Sequence, residues 1–267
     1  MDVLLIGYGA IAQEILKHIQ PEEDARIVAI IVRPSRVEEV RDAVSARGIE
    51  VVSSFRDLNV RPDLVAECAG HSGVRDYGAD ALRRGMDFLV ISIGVLADAG
   101  LYADLVAAAE TGGAKLVLAA GAVAGADALA AARVGGLHKV TYTSRKPPGA
   151  WKGTPAEDVA NLDALTSEMT LYQGGADEAA TRYPQNANVA ATIAIAGAGF
   201  GATEVRLVAD PAASGNIHQV HAEGAFGSVD IEIHGKPLPD NPKTSTLAAH
   251  SVIAEIRRRA GPVEIGG

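Results

Sequence analysis

The first twelve residues constrain this chain more than any others. Val3-Leu4-Leu5-Ile6 is an apolar run that ends in Gly7-Tyr8-Gly9-Ala10-Ile11-Ala12, and Ile11, Ile15 and Ile19 then recur four apart. A buried strand, a G-x-G-x-x-A turn and an amphipathic helix in that order predict the opening of a βαβ unit. In such a turn the first glycine makes the bend and the second lets backbone approach a pyrophosphate. Ala12 permits close helix–strand packing, and the pyrophosphate rests on the positive helix end. Gly7, Gly9, Ala10 and Ile11 are therefore the first candidates for contacts to a dinucleotide.

The alternation continues to residue 119. Short apolar runs at 27–32, 51–52, 64–68, 88–93 and 116–119 separate helical stretches at 35–47, 74–84 and 97–110, with Ser35 read as an N-cap. Continuous apolar strands between helices predict a parallel sheet covered on both faces, with ligands at the carboxyl ends of the strands. Those ends carry Gly7-Tyr8-Gly9, Ala69-Gly70-His71, Ser92-Ile93-Gly94 and Ala120-Gly121-Ala122. After Ala130 the pattern changes. Residues 139–145, 168–173, 204–210, 218–224 and 228–234 alternate apolar and polar side chains, the mark of antiparallel strands with one wet face. Helices are expected at 185–198 and 245–259; the second carries Ala249, Val252, Ile253 and Ile256 on one face. The expected fold class is α/β. A Rossmann-type doubly wound parallel sheet spans 1–120, and a second α+β domain with a mostly antiparallel sheet spans 121–244. The last helix, 245–260, returns to the first domain.

Composition narrows the function classes. The 267 residues include 24 Lys and Arg against 33 Asp and Glu, a net charge of −9. Without a basic cluster, that balance argues against nucleic acid and anionic membranes as partners. Hydrophobic residues are 48% of the chain, yet the longest apolar stretch, 189–200, is broken by Thr192, Gly197 and Gly199. No signal peptide or membrane span is expected, and the expected location is the cytoplasm. A single cysteine, Cys68, excludes an internal disulfide and a Cys-rich metal site. At the end of an apolar run it reads as a small buried hydrophobe rather than a nucleophile.

Other residues carry possible chemistry. The second strand ends in Val32-Arg33-Pro34-Ser35-Arg36 and lacks the acid that usually binds a ribose 2′-hydroxyl. Arg33, Ser35 and Arg36 suit a 2′-phosphate, so NADP is expected at least as readily as NAD; alternatively both arginines are solvated loop residues. Among the seven histidines no metal spacing appears, and His18 and His250 read as structural. His218 and His221 are three apart on an expected strand, so only one faces a cleft. His218 follows the turn-like Ser214-Gly215-Asn216-Ile217, which favours it as a proton-transfer group. Asn241-Pro242-Lys243-Thr244-Ser245 precedes the last helix, where Thr244 or Ser245 can cap it and Lys243 can meet a carboxylate. An ordinary capped helix with an exposed lysine fits the same residues.

Several segments together resemble the L-aspartate dehydrogenase family. They are Gly7-Tyr8-Gly9-Ala10-Ile11, Ala120-Gly121-Ala122 with Gly125-Ala126-Asp127-Ala128-Leu129, Asn186-Ala187-Asn188-Val189-Ala190-Ala191-Thr192, Asn216-Ile217-His218, and Asn241-Pro242-Lys243-Thr244-Ser245. The glycine turn is common to many families, whereas the Asn-Ala-Asn-Val and Asn-Pro-Lys-Thr-Ser segments are specific. The resemblance implies NAD(P)-dependent oxidation of L-aspartate to iminoaspartate, then oxaloacetate and ammonia, the reverse reductive amination, a link to NAD biosynthesis, and a homodimer. It also implies that Ala122 and Asn188 contact the cofactor and that His218 rather than His221 is catalytic; Ala69 and Gly70, at a strand's carboxyl end, are expected beside the cofactor on position alone. Lys243, Thr244 and Arg145 are the expected partners of the substrate carboxylates, and no metal is expected. The segment Gly70-His71-Ser72 departs from the Ser-Pro-like turn expected there, which leaves His71 as a possible substitute contact. The competing readings are another reductase on a dihydrodipicolinate-reductase or homoserine-dehydrogenase plan, and a non-catalytic dinucleotide sensor.

Overall fold

The structure, a computed structural model, describes residues 1–20, 23–184, 187–239 and 241–263, without the side chains of Pro242 and Lys243. The chain divides into two compact units. The first comprises Met1–Ser92, Asp98–Ala119 and the residues from Ala248 on; the second comprises Ile93–Ala97 and Ala120–Leu247.

In the first unit β1 (Asp2–Ile6), α1 (Ala10–His18), β2 (Arg26–Ile31), α2 (Val37–Val44), β3 (Glu50–Val52), β4 (Leu64–Glu67), α3 (His71–Arg83), β5 (Asp87–Val90), α4 (Ala99–Gly112) and β6 (Leu116–Leu118) alternate. Strands run in the order β3-β2-β1-β4-β5-β6, each parallel to its neighbours. This is the doubly wound order in which the chain changes direction across the sheet between β1 and β4, opening a crevice at their carboxyl ends. Val3, Leu5, Ile30, Leu64 and Leu89 form the core with Ile15 of α1.

The second unit holds α5 (Ala126–Gly135), β7 (Leu137–Lys146), α6 (Ala156–Val159), β8 (Met169–Gly175), α7 (Ala176–Arg182), α8 (Asn188–Ala196), β9 (Thr203–Ala209), β10 (Asn216–Gly224), β11 (Gly227–Gly235), β12 (Pro237–Leu238) and β13 (Asn241–Ser245). Then α9 (Thr246–Ala260) puts Val252, Ile253 and Ile256 into the core of the first unit. The larger sheet has the order β11-β10-β7-β9-β8.

Some details differ from expectation for identifiable reasons. The larger sheet is mostly antiparallel, as expected, but holds one parallel pair, β7 with β9. Alternation of side chains reports a wet face and says nothing about the direction of a neighbour. Pro34–Arg36 forms a 3-10 turn and α2 begins at Val37, so Ser35 is not its cap. Helix α3 begins at His71, three residues before its first buried aliphatic side chain, Val74. The segment before the last helix is β13, paired with β12, rather than a capping loop. Ser245 Oγ is buried without a hydrogen-bond partner, so it does not cap α9.

Candidate functional site

At the carboxyl end of the first sheet lies a cleft of about 460 Å³ lined by Gly7, Tyr8, Gly9, Arg33, Arg36 and Ala69, among others. Gly7 has φ +92°, and a Cβ there would lie 3.0 Å from the Cys68 carbonyl oxygen and 3.1 Å from the Ala69 side chain. Any other residue at position 7 would be strained and would fill the crevice. Helix α1 starts immediately after Gly9, where no side chain caps it, so its first N–H groups face the cleft end of the turn. A backbone cradle without side-chain bulk beside a positive helix end fits a dinucleotide pyrophosphate. Ala10 and Ile11 form the first turn of α1. Arg33 is exposed and Arg36 is paired with Glu39 at 2.8 Å; both reach the cleft, while Ser35 is not among its lining residues. Cys68 also borders it, and burial pushes its thiol well above the ordinary range, which opposes a nucleophilic role.

One residue that shapes this end of the sheet was not legible in the sequence. Glu67, the last residue of β4, is fully buried. Its Oε1 accepts the N–H groups of Ala69 and Gly70, both at 2.7 Å, and its Oε2 accepts that of Ser92 at 3.1 Å. The carboxylate thus ties the turn after β4 to the end of β5. Burial pushes its pKa above the ordinary carboxylate range against the pull of those donors.

In the second unit, Asn188 opens α8, and its Oδ1 accepts the Gly94 N–H at 2.9 Å. A Cβ on Gly94 would lie 2.9 Å from that oxygen. Ala122 follows Gly121, which turns the chain after β6 with φ +74°. His218 lies on the buried face of β10 with Val220 and Ala222, and His221 lies on the opposite face, paired with Asp230 and Glu223. A 2.8 Å hydrogen bond joins His218 Nδ1 to the Tyr142 phenol, and the two rings stack. A phenol both donates and accepts, so this bond survives either neutral tautomer and leaves Nε2 as the nitrogen through which the ring exchanges a proton. Burial, with the charge of Lys146 as a smaller cause, pushes the His218 pKa down to about 4. Tyr142 stays protonated because burial raises its pKa. Lys146, half-buried at the end of β7, is itself pushed down to about 8 by burial, and its ammonium sits 5.1 Å above the Trp151 ring. Neither Tyr142 nor Lys146 belongs to a recognisable motif; their period-two spacing on β7 is the signal that places them together.

The remaining expected residues are distributed as follows. Arg145 lies on the opposite face of β7 from Tyr142 and Ser144 and is held by Glu168 and Asp210. Its guanidinium is therefore engaged within the protein, away from His218. Thr244 is half-buried in β13, and the Lys243 side chain lies outside the described residues. His18 and His250 meet across α1 and α9 around Glu14, with all three donor atoms within 4.8 Å. Residues 232 positions apart give no spacing signal, so this cluster was invisible in the sequence; Lys17 also pairs with Glu14, at 3.3 Å.

The His218 environment sets a pH dependence. A histidine whose folded pKa lies below its unfolded value of about 6.5 contributes stability that is present above pH 6.5 and lost as pH falls toward about 4. The loss amounts to about 3 kcal/mol across that window. Urea melts at pH 7.5 and 4.5 should show this loss in the wild type and a correspondingly smaller one in His218→Asn. Parallel pH dependences in the two proteins would mean that His218 titrates normally.

A family model described as aspartate dehydrogenase, C-terminal, matches residues 127–259, and one described as homoserine dehydrogenase, NAD binding domain, matches residues 7–119. The chain is 46% identical over 261 residues to L-aspartate dehydrogenase of Ruegeria pomeroyi, covering 98% of this chain and 93% of that one. It is 44% identical over 266 residues to L-aspartate dehydrogenase of Pseudomonas aeruginosa, covering 99% and 100%. The crystal structure of aspartate dehydrogenase from Thermotoga maritima superposes with a TM-score of 0.79 at 24% identity, covering 100% of this chain and 99% of that one, a likeness of fold. At this identity over nearly the full length of each relative, the chain belongs to the L-aspartate dehydrogenase family.

Proposed function

We propose that the protein is an NAD(P)-dependent L-aspartate dehydrogenase that converts L-aspartate to iminoaspartate, which hydrolyses to oxaloacetate and ammonia, and that also runs the reverse reductive amination. The observation that carries this reading is a neutral, buried His218 clamped through Nδ1 by Tyr142, in a chain whose other unit holds a pyrophosphate cradle. NAD(P), when bound, supplies the redox chemistry by accepting the Cα hydrogen with its electron pair. Gly7, Gly9, Ala10 and Ile11 hold the pyrophosphate, with Ala69 and Gly70 at the neighbouring strand end and Ala122 and Asn188 on the nicotinamide side. His218, neutral at physiological pH, takes a proton from the substrate nitrogen or from the water that attacks the imine. Lys243 and Thr244 are further candidates for the substrate carboxylates. Arg145 is better explained by its two carboxylate partners. A homodimer in the cytoplasm, acting on small molecules and linked to NAD biosynthesis, completes the reading.

The test is absorbance at the reduced-nicotinamide band with L-aspartate, D-aspartate, L-glutamate, L-homoserine, and oxaloacetate plus ammonia. Turnover confined to L-aspartate and to oxaloacetate with ammonia is expected; turnover with homoserine alone would favour a different reductase, and none with any substrate would favour a sensor. Cofactor preference follows from Arg33 and Arg36 at the cleft and the missing acid after β2. NADPH is expected to bind at least as tightly as NADH in fluorescence titrations, with Arg33→Ala weakening NADPH selectively. A much weaker NADPH would assign both arginines to the solvated loop.

A further inference from the structure

Tyr142, Ser144 and Lys146 alternate along β7 and so share one face of the strand. His218 lies directly across from Ser144 in the β7–β10 register. The hydroxyl of Ser144 is buried beside the Tyr142 phenol, without a hydrogen bond of good geometry. A buried hydroxyl with poorly formed bonding has capacity left for an arriving acceptor. Beyond it on the same face stands the Lys146 ammonium, steadied over Trp151, whose indole is fully buried and donates to the Val208 carbonyl. The order along the face is thus histidine with hydroxyl, then ammonium, about 7 Å further along the strand.

We infer that Ser144 and Lys146 form the substrate-recognition subsite, in which Ser144 donates to the α-carboxylate of a dicarboxylic amino acid and Lys146 pairs with its side-chain carboxylate. This rests on the dehydrogenase reading above. The amine and α-carboxylate share one carbon, so the group beside His218 meets the α-carboxylate and the group one pleat further meets the carboxylate that extends from it. A half-buried ammonium pays a desolvation penalty that an arriving carboxylate relieves. The same pairing offsets the positive field of Lys146 at His218, the smaller of the two causes that lower its pKa, while burial, the larger, remains. Arg145, one residue earlier, points to the other face, where Glu168 and Asp210 hold it.

The experiment compares kcat/KM for L-aspartate and for L-asparagine, whose side-chain carboxylate is an amide, in the wild type, Lys146→Met and Lys146→Arg. Because the readout is a ratio of two substrates on one preparation, it is independent of how much of a variant is folded. In Lys146→Met the preference for aspartate over asparagine should shrink about 10–100-fold, through a higher KM for aspartate with the KM for cofactor unchanged, and Lys146→Arg should recover part of it. Ser144→Ala should weaken both substrates together. An unchanged aspartate-to-asparagine ratio in Lys146→Met overturns the inference. A wild type inactive on both substrates would instead fail the dehydrogenase reading itself.

Discussion

His218→Asn lowers kcat for L-aspartate oxidation by about 10²–10⁴-fold, while reduced-cofactor binding, measured by fluorescence, stays at the wild-type value. Asparagine nearly matches the imidazole in size and can still meet the Tyr142 phenol, so the substitution removes proton exchange at Nε2 with little repacking. The size of the effect follows from what the ring supplies. The Tyr142 bond fixes its plane, and burial keeps it neutral well below physiological pH. His221 provides the internal control. It sits three residues away on the same strand, on the opposite face, and its carboxylate partners Glu223 and Asp230 push its pKa upward. His221→Asn should therefore leave kcat within a factor of two. Near-normal turnover in His218→Asn with a collapse in His221→Asn would reverse the assignment of the catalytic face.

What the sequence made legible follows from range. The strand–glycine–helix opening, the parallel sheet and the placing of His218 and His221 on opposite faces of β10 rest on local patterns, which a chain displays wherever it folds. Tyr142 is within reach of the same logic, since it lies in the expected strand at 139–145, and Lys146 falls one residue beyond it, but nothing local says that β7 lies beside β10. Glu67 was missed because an acidic residue at the end of an apolar run looks like a solvated strand end. Its burial depends on the β4 and β5 turns folding back over it. The mixed sheet and the Glu14–His18–His250 cluster were hidden for the same reason: strand direction and helix adjacency are decided by pairings between distant segments.

Glu67 carries the largest expected effect on stability. Its two oxygens receive three backbone N–H groups that have turned inward at the carboxyl end of the first sheet. A buried donor left without an acceptor costs about 1–3 kcal/mol, so Glu67→Ala should lose at least about 3 kcal/mol in urea unfolding, a large share of the roughly 5–15 kcal/mol typical of a folded protein. Glu67→Gln discriminates between the two oxygens. Its carbonyl can keep the Ala69 and Gly70 donors while its amide nitrogen confronts the Ser92 N–H, so only one donor is orphaned and the loss should be about 1–3 kcal/mol. Function should follow stability here, because Ala69 lines the same cleft as Gly7. A turn released after β4 should weaken reduced-cofactor binding in Glu67→Ala more than in Glu67→Gln. If both variants unfold at the wild-type urea midpoint, the three hydrogen bonds contribute nothing net and water replaces the carboxylate. If both lose the same several kcal/mol, the negative charge rather than the paired acceptance at Oε1 holds the two turns together.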